Sequence, residues 1–392
     1  MTSAALQAVS AAVATACAVP EPRAVPSSID WAEFVRLVGR HQVAPLVQRS
    51  GWLASAGAPA DARAAVAERA RSEAIRSLRL LALQRDVLEA VAAAGVDAIV
   101  LKGSVLAVDA HDDPGARAVR DLDLLVRPRD VEPAVRALQS AGLTWSELRR
   151  ADDPERAVVE PTAIGRLESR PMLREVTLAR DGLEVEVHWR LFDNPRLMPA
   201  DPRWLSAPRR VDVQGLAVPT LPLDSQWVYV MVHGAQHLWS VMKWLADVPA
   251  FALRHPDLAE HGALESVAPE YHRATATGLL VAEAAFGRFL APASRDWAAG
   301  LSGTGVLVRR STRALAAGHH RPKRVSPRAL PGEVVGRLAM RTDARYRLAE
   351  LRLLLLSAGR AHAVEDPGVT DLVGGPFRWV RRSARRRLRG RG

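Results

Sequence analysis

A single cysteine, Cys17, is all the thiol chemistry available to this chain of 392 residues. That excludes an intramolecular disulfide framework and points to a reducing, cytoplasmic setting. Cys17 itself reads as small apolar filler on a helix. Long apolar runs are missing as well: the patch Leu351-Arg-Leu-Leu-Leu-Leu356 is far short of the about 20 residues a membrane span needs. The alanine-rich start, Met1 to Cys17, has no charged residue ahead of its apolar stretch and alanine where a secretion signal carries leucine. It therefore reads as a short helix. Aromatics are only 5% of the chain despite ten tryptophans, so there is no aromatic-rich platform for stacking single-stranded bases. No internal repeat is evident.

Charge of one sign is abundant but unevenly placed. The net charge is +11, and eight arginines with no acid follow Pro376. The basicity is thus mostly a tail, Arg378-Trp-Val-Arg-Arg-Ser-Ala-Arg-Arg-Arg-Leu-Arg. Such a run suits contact with a polyanion such as RNA or with an anionic membrane, and equally suits a solvated terminus. A hydrophobic content of 48% is enough for sizeable cores, and the length allows two to three domains.

What the chain does have is concentrated between residues 98 and 191. Ala98-Ile-Val-Leu-Lys-Gly-Ser104 is an apolar run ending in a small-residue turn, and Arg120-Asp-Leu-Asp-Leu-Leu-Val126 carries two acids at alternate positions. Alternation by two places Asp121 and Asp123 on one face of a strand. Two carboxylates on one face repel and are costly to bury unless a cation lies between them. Hard divalent ions, chiefly magnesium, suit such an oxygen site. The free N–H groups of the Gly103-Ser104 turn would suit a phosphate, with Lys102 beside them. A further stretch, Leu183-Glu-Val-Glu-Val-His-Trp-Arg-Leu191, puts Glu184, Glu186 and His188 on one face and Val185, Val187 and Trp189 on the other. It could supply a third carboxylate, completing the inventory that two-metal phosphoryl chemistry needs.

The surrounding pattern is readable in outline. Ser28 or Asp30 could cap a helix through Trp31, Phe34, Val35 and Val38, and a long helical span runs from Pro59 to Gly95. Strands are expected at 98–102 and 120–126, with helices at 103–110 and from Asp130 to Gly142. A polar insertion at 146–170 precedes strands at 172–179 and 183–191, joined by a turn at Asp181-Gly182. A short strand around Val211–Val218 follows. The pattern is then helical from Leu223 to about 290, broken at Pro249, Pro256 and Pro269, and helical again over 331–358.

The order Gly-Ser, Asp-x-Asp, then an acid on a later strand resembles the polymerase-β-like nucleotidyltransferase superfamily. More narrowly, the chain resembles a bacterial family of uncharacterised nucleotidyltransferases, through Leu101-Lys-Gly103, Asp113-Pro-Gly-Ala-Arg117, Asp121-Leu-Asp-Leu-Leu-Val126, Glu186-Val-His188-Trp189 and His233-x-x-x-His237…Lys243-Trp244-Leu-Ala-Asp247. Asp366-Pro-Gly and Pro376-Phe-Arg-Trp379 extend the likeness more thinly. The third acid is Glu where Asp is commoner. The resemblance implies an α+β fold: a small mixed sheet flanked by helices, followed by a helical C-terminal domain. Divided by residue, it gives an N-terminal helical region (1–95), a catalytic core (96–220), a helical domain closing the cleft (221–375) and the arginine tail (376–392). It implies transfer of a nucleoside monophosphate from a nucleoside triphosphate to an unidentified acceptor. Asp121, Asp123 and Glu186 would hold Mg2+ or Mn2+, and Lys102, Gly103, Ser104 and Arg117 would bind the nucleotide.

His188 could be a base or a neighbour of the metal ligands. His233 and His237 share a helical face, yet lack the acid and the third ligand of a zinc site, so ring atoms facing substrate are the better expectation. Lys243 and Asp247 stand four apart, which suits an ordinary ion pair as well as ligand contact. The alternatives to catalysis of this kind are a noncatalytic nucleotide- or partner-binding protein on the same fold, and an RNA-end-modifying nucleotidyltransferase whose tail grips the substrate.

Overall fold

In a computed structural model, residues 3–146, 174–317 and 330–360 are described. The 146–170 insertion beyond Ser146, the Asp366-Pro-Gly segment and the arginine tail lie outside the described residues. At the centre are two parallel strands whose sequences alternate in the same sense, β3 (Asp121–Val126) and β6 (Leu183–His188). They pair Asp121 with Glu184 and Asp123 with Glu186. A one-residue slip would put carboxylates into the apolar side, so the alternation itself fixes this register. Around them lie β2 (Ala98–Val100), β4 (Thr144–Trp145), β5 (Glu175–Arg180), β7 (Arg209–Val213) and β8 (Leu216–Thr220), in the seven-stranded order β4-β5-β6-β3-β2-β8-β7. Parallel and antiparallel pairs mix. The α+β expectation holds.

One face of this sheet is apolar. Leu122, Leu124, Val185 and Val187 pack with Leu80, Leu83 and Val87 of the long helix Ala60–Ala93 and with Val135 and Leu138 of the helix Val131–Ser140. The other face carries the acids, and beside them Ile99, Leu101 and Leu125 pack against Tyr229, Val232 and Ala235 of the helix Leu223–Gln236. The largest cluster joins the N-terminal helices to those after the sheet: Val9, Phe34, Val47, Trp227, Phe251 and Phe286 belong to one core. Cys17 ends the first helix, Ala4–Ala16, and is buried; burial first, and then Asp247, push its thiol up to about 12. A further two-residue pairing joins β1 (Glu21–Pro22) to β9 (Gly287–Arg288). Among the described residues, no helix is long and apolar enough to cross a membrane.

Several local expectations need correction. The strand expected around Val211–Val218 is a hairpin, because Gln214 and Gly215 adopt positive φ (54° and 81°) and reverse the chain in two residues. Pro249 does not break its helix, which runs Met242–Arg254. Leu245, Ala246, Val248 and Phe251 are buried around it, and that packing offsets the lost backbone bond. Asp130 sits at the helix start without a side-chain cap; its carboxylate lies 3.7 Å from Arg127 instead. The last helical stretch is two helices, Leu330–Ala339 and Ala344–Arg360. The second is started by Asp343, which accepts from the Tyr346 amide at 2.7 Å.

Candidate functional site

The strand β2 is followed by Leu101-Lys102, and the chain turns at Gly103 into the helix Ser104–His111. Gly103 has φ +74°, and a Cβ there would meet Val119 at 3.3 Å, so only glycine turns here without strain. The first N–H groups of that helix have no intrahelical acceptor, which makes the turn electropositive. Ser104 does not cap the helix. Its hydroxyl donates to Gln84 Oε1 of the long helix at 2.7 Å.

Lys102 reaches across to the strand it faces. Its ammonium lies 3.0 Å from Asp123 Oδ2, outside hydrogen-bond alignment, and 3.7 Å from Asp121. Burial works against the charge of this lysine, but the two aspartates hold its proton affinity above the ordinary range. Burial likewise works against the Asp123 carboxylate, yet Lys102 and His188 bring its pKa down to about 2. The cation that the acidic pair demands is therefore already supplied in part by a side chain of the chain itself.

Beyond Asp123 the acids converge on His188. Its Nε2 lies 3.2 Å from Asp123 Oδ1 and 3.1 Å from Glu186 Oε2, and its Nδ1 lies 3.3 Å from Glu175 Oε2. One ligand atom from each of Asp123, Glu186 and His188 can be chosen so that all lie within 4.8 Å of one another, the one such group among the described residues. Two carboxylates and an imidazole on rigid strands, all buried, are a donor set that fits a hard or borderline divalent ion. Asp121, more exposed and facing Lys102, is not in that trio. Glu184 takes a different partner, accepting from Ser146 Oγ at 2.6 Å.

The remaining expected residues gather on the helical side of the sheet. Arg117 is buried and its Nε donates to both oxygens of Asp247 at 3.0 Å, with His111 Nε2 3.1 Å from the same carboxylate. Lys243 is not paired with Asp247, contrary to the simplest reading of their spacing. Its ammonium donates to Gln42 Oε1 at 2.8 Å and to the Ala118 carbonyl at 3.0 Å. Burial, and then Arg117, push its pKa down to about 7. The His233 and His237 rings lie 4.7 Å apart between centroids, tilted by 53°, and both contact Trp244. Burial and then His237 lower the His233 pKa well below its usual value, so this imidazole is neutral. They belong to no three-ligand group among the described residues.

Sequence reasoning missed Glu175, His111, Gln42 and Gln84. Glu175 was within reach: the Asp181-Gly182 turn fixes the β5–β6 hairpin, and counting outward places Glu175 opposite His188. Gln84 and His111 lie on helices and Gln42 caps the end of one; their contacts come from tertiary packing, with no local signal.

No curated protein and no solved structure matches the chain. The model of a family described as uncharacterised nucleotidyltransferases matches residues 27–287, which takes in the Gly-Ser turn, the acidic strands and both helical partner clusters. The chain belongs to that nucleotidyltransferase family.

Proposed function

We propose that the protein is a divalent-metal-dependent nucleotidyltransferase, moving a nucleoside monophosphate from a nucleoside triphosphate to an acceptor with release of pyrophosphate. The observation that carries this reading is the in-register pairing of Asp123 with Glu186 on adjacent parallel strands, beside the strand β2 that leads into the Gly103–Ser104 helix start. A divalent ion at this site would neutralise phosphate charge and activate the attacking group. Asp123, Glu186 and His188 would hold it, and Asp121 would complete the set once Lys102 turns to the phosphates. The Gly103–Ser104 amides bind the triphosphate through its oxygens. Arg117 stays with Asp247 and fixes the loop before β3. The second carboxylate oxygen of Glu186 takes the proton of the acceptor as the acceptor's oxygen or nitrogen bonds to the α-phosphorus, and the bond to pyrophosphate breaks. Catalysis would come mainly from positioning and charge neutralisation.

One observation favours a second reading. Because Lys102 already balances Asp121 and Asp123, the site is electrostatically tolerable without metal, as in a noncatalytic nucleotide-binding protein. The test is incubation of the full chain with each labelled nucleoside triphosphate and Mg2+ or Mn2+, with candidate protein and metabolite acceptors. Pyrophosphate release and a labelled acceptor are expected, and both should vanish on chelation. Tight nucleotide binding with no pyrophosphate from any combination would instead support the noncatalytic reading.

A further inference from the structure

Next to the Gly-Ser turn is a cavity of about 140 Å³. On one side it is walled by Ala74, Leu78, Leu80 and Leu81 of the long helix, and on the other by Val119 and Leu122. Gly103, Ser104 and Asp121 also line it, so its polar end belongs to the residues assigned to the triphosphate and metal. Its size is that of one planar ring system: an apolar cavity of about 150 Å³ takes a benzene molecule. A whole nucleotide is too large for it, and a triphosphate finds no charge on its leucine walls.

Two polar groups interrupt those walls. Gln84 is only 2% exposed and lines the cavity. Its Oε1 accepts from Ser104, while its Nε2 has no hydrogen-bond partner. Ser77 lines the same space, and its hydroxyl is likewise without a partner. A buried donor left unsatisfied costs about 1–3 kcal/mol, so a donor of this kind beside an open cavity marks the place of an acceptor atom on a ligand. Leu78, at the same wall, is 57% exposed, an apolar side chain held in water that an apolar occupant would cover.

We infer that this cavity is the nucleobase subsite, with the ring between the leucines of the long helix and Val119 and Leu122, and a ring nitrogen or carbonyl accepting from Gln84. The proposal rests on the nucleotidyltransferase reading and adds to it the element that would discriminate among bases. Gln84 then couples two functions: one arm of its amide holds the Ser104 hydroxyl at the phosphate turn, and the other reads the base.

The test is calorimetric titration of the full-length chain with each nucleoside triphosphate and, separately, with inorganic triphosphate, at fixed Mg2+ and salt. Leu81→Trp fills the cavity from within, and Leu78→Trp fills it from an exposed position where folding is not at stake; thermal melts confirm that each variant is folded. In the wild type one nucleotide should bind more tightly than inorganic triphosphate. Both variants should lose about tenfold of nucleotide affinity and most of the base preference, while inorganic triphosphate stays within about twofold. Gln84→Glu, which keeps the acceptor for Ser104 and deletes the donor, should lower the ratio of nucleotide to triphosphate affinity by a similar factor. Folded variants with unchanged nucleotide affinity and preference would overturn the subsite and leave the nucleotidyltransferase reading standing. A wild type that binds inorganic triphosphate and nucleotides equally would do the same. A wild type that binds neither would overturn both.

Discussion

Two buried polar clusters lie on the same side of the sheet and treat charge differently. In the helical one, Arg117, Asp247 and His111 close on one another, and Lys243 is held by an amide and a carbonyl. In the strand cluster, acids outnumber fixed cations: Asp121, Asp123, Glu186 and Glu175 gather around Lys102, Arg174 and the imidazole of His188. A charge that finds a full set of partners within the chain has no work left to do on a ligand, and its value is to hold two elements together. A surplus of carboxylates on rigid strands leaves negative charge that a cation from outside can balance. The contrast separates residues that resemble the family equally well in sequence.

The sharpest way to break the contrast is to remove one acid from each cluster. Asp123→Asn should reduce nucleotidyl transfer by about 10³-fold or more, with a smaller loss in the urea midpoint than the helical variant, since Lys102 keeps Asp121 as a partner. Asp247→Ala strands the buried Arg117 guanidinium and should cost about 3–5 kcal/mol of stability in urea unfolding, with the folded fraction still active. Exchanged outcomes would mean that the helical cluster, not the strand cluster, performs the chemistry.

Lys243 gives a subtler test through pH. Its pKa is about 7 in the fold against 10.5 for the ordinary amine, so between those values the unfolded chain binds more protons than the folded one. Stability should therefore rise with pH across this window, by up to about 1.4 kcal/mol per pH unit. Lys243→Met should flatten that rise, so that the wild type gains on the variant from pH 7 to pH 9 in urea titrations. Parallel curves would show the amine to be solvated.

The smallest expected effect concerns the choice between neighbouring glutamates. Glu184→Gln should change kcat by no more than about threefold, because its carboxylate serves Ser146 at the edge of the site. A loss of two orders of magnitude would make Glu184 the third acid in place of Glu186.

Much of this was legible beforehand where a period of two does the work. The alternation in residues 121–126 and 183–188 set the strand faces, the register and the convergence of Asp123 with Glu186. Gly103, with its positive φ, was equally visible as a turn. What alternation could not show is the partner of each charge. Lys102 stands beside the phosphate turn and rests against Asp121 and Asp123; Lys243 and Asp247 stand four apart, yet one donates to Gln42 and Ala118 and the other accepts from Arg117. Such assignments depend on which element packs where: Gln42 and Gln84 come to the site from segments well before the acidic strands, and His111 reaches Asp247 across 136 residues. Pro249 misled for the same reason, since burial outweighed a local rule.

The first helix bears on how the family's borders should be understood. Recognisable descent begins at residue 27, yet Ala5, Leu6, Ala8, Val9 and Val13 ahead of it are almost wholly enclosed. They share a core with helices from both sides of the sheet. The Cys17 thiol lies 3.6 Å from the carbonyl of Ala246, on the very helix that carries Lys243 and Asp247. The stretch over which kinship can be traced is thus shorter than the stretch that must collapse together. A fragment cut to the border of kinship would lose the backing of the helix that holds Arg117 in place, and with it the loop leading into the acidic strand.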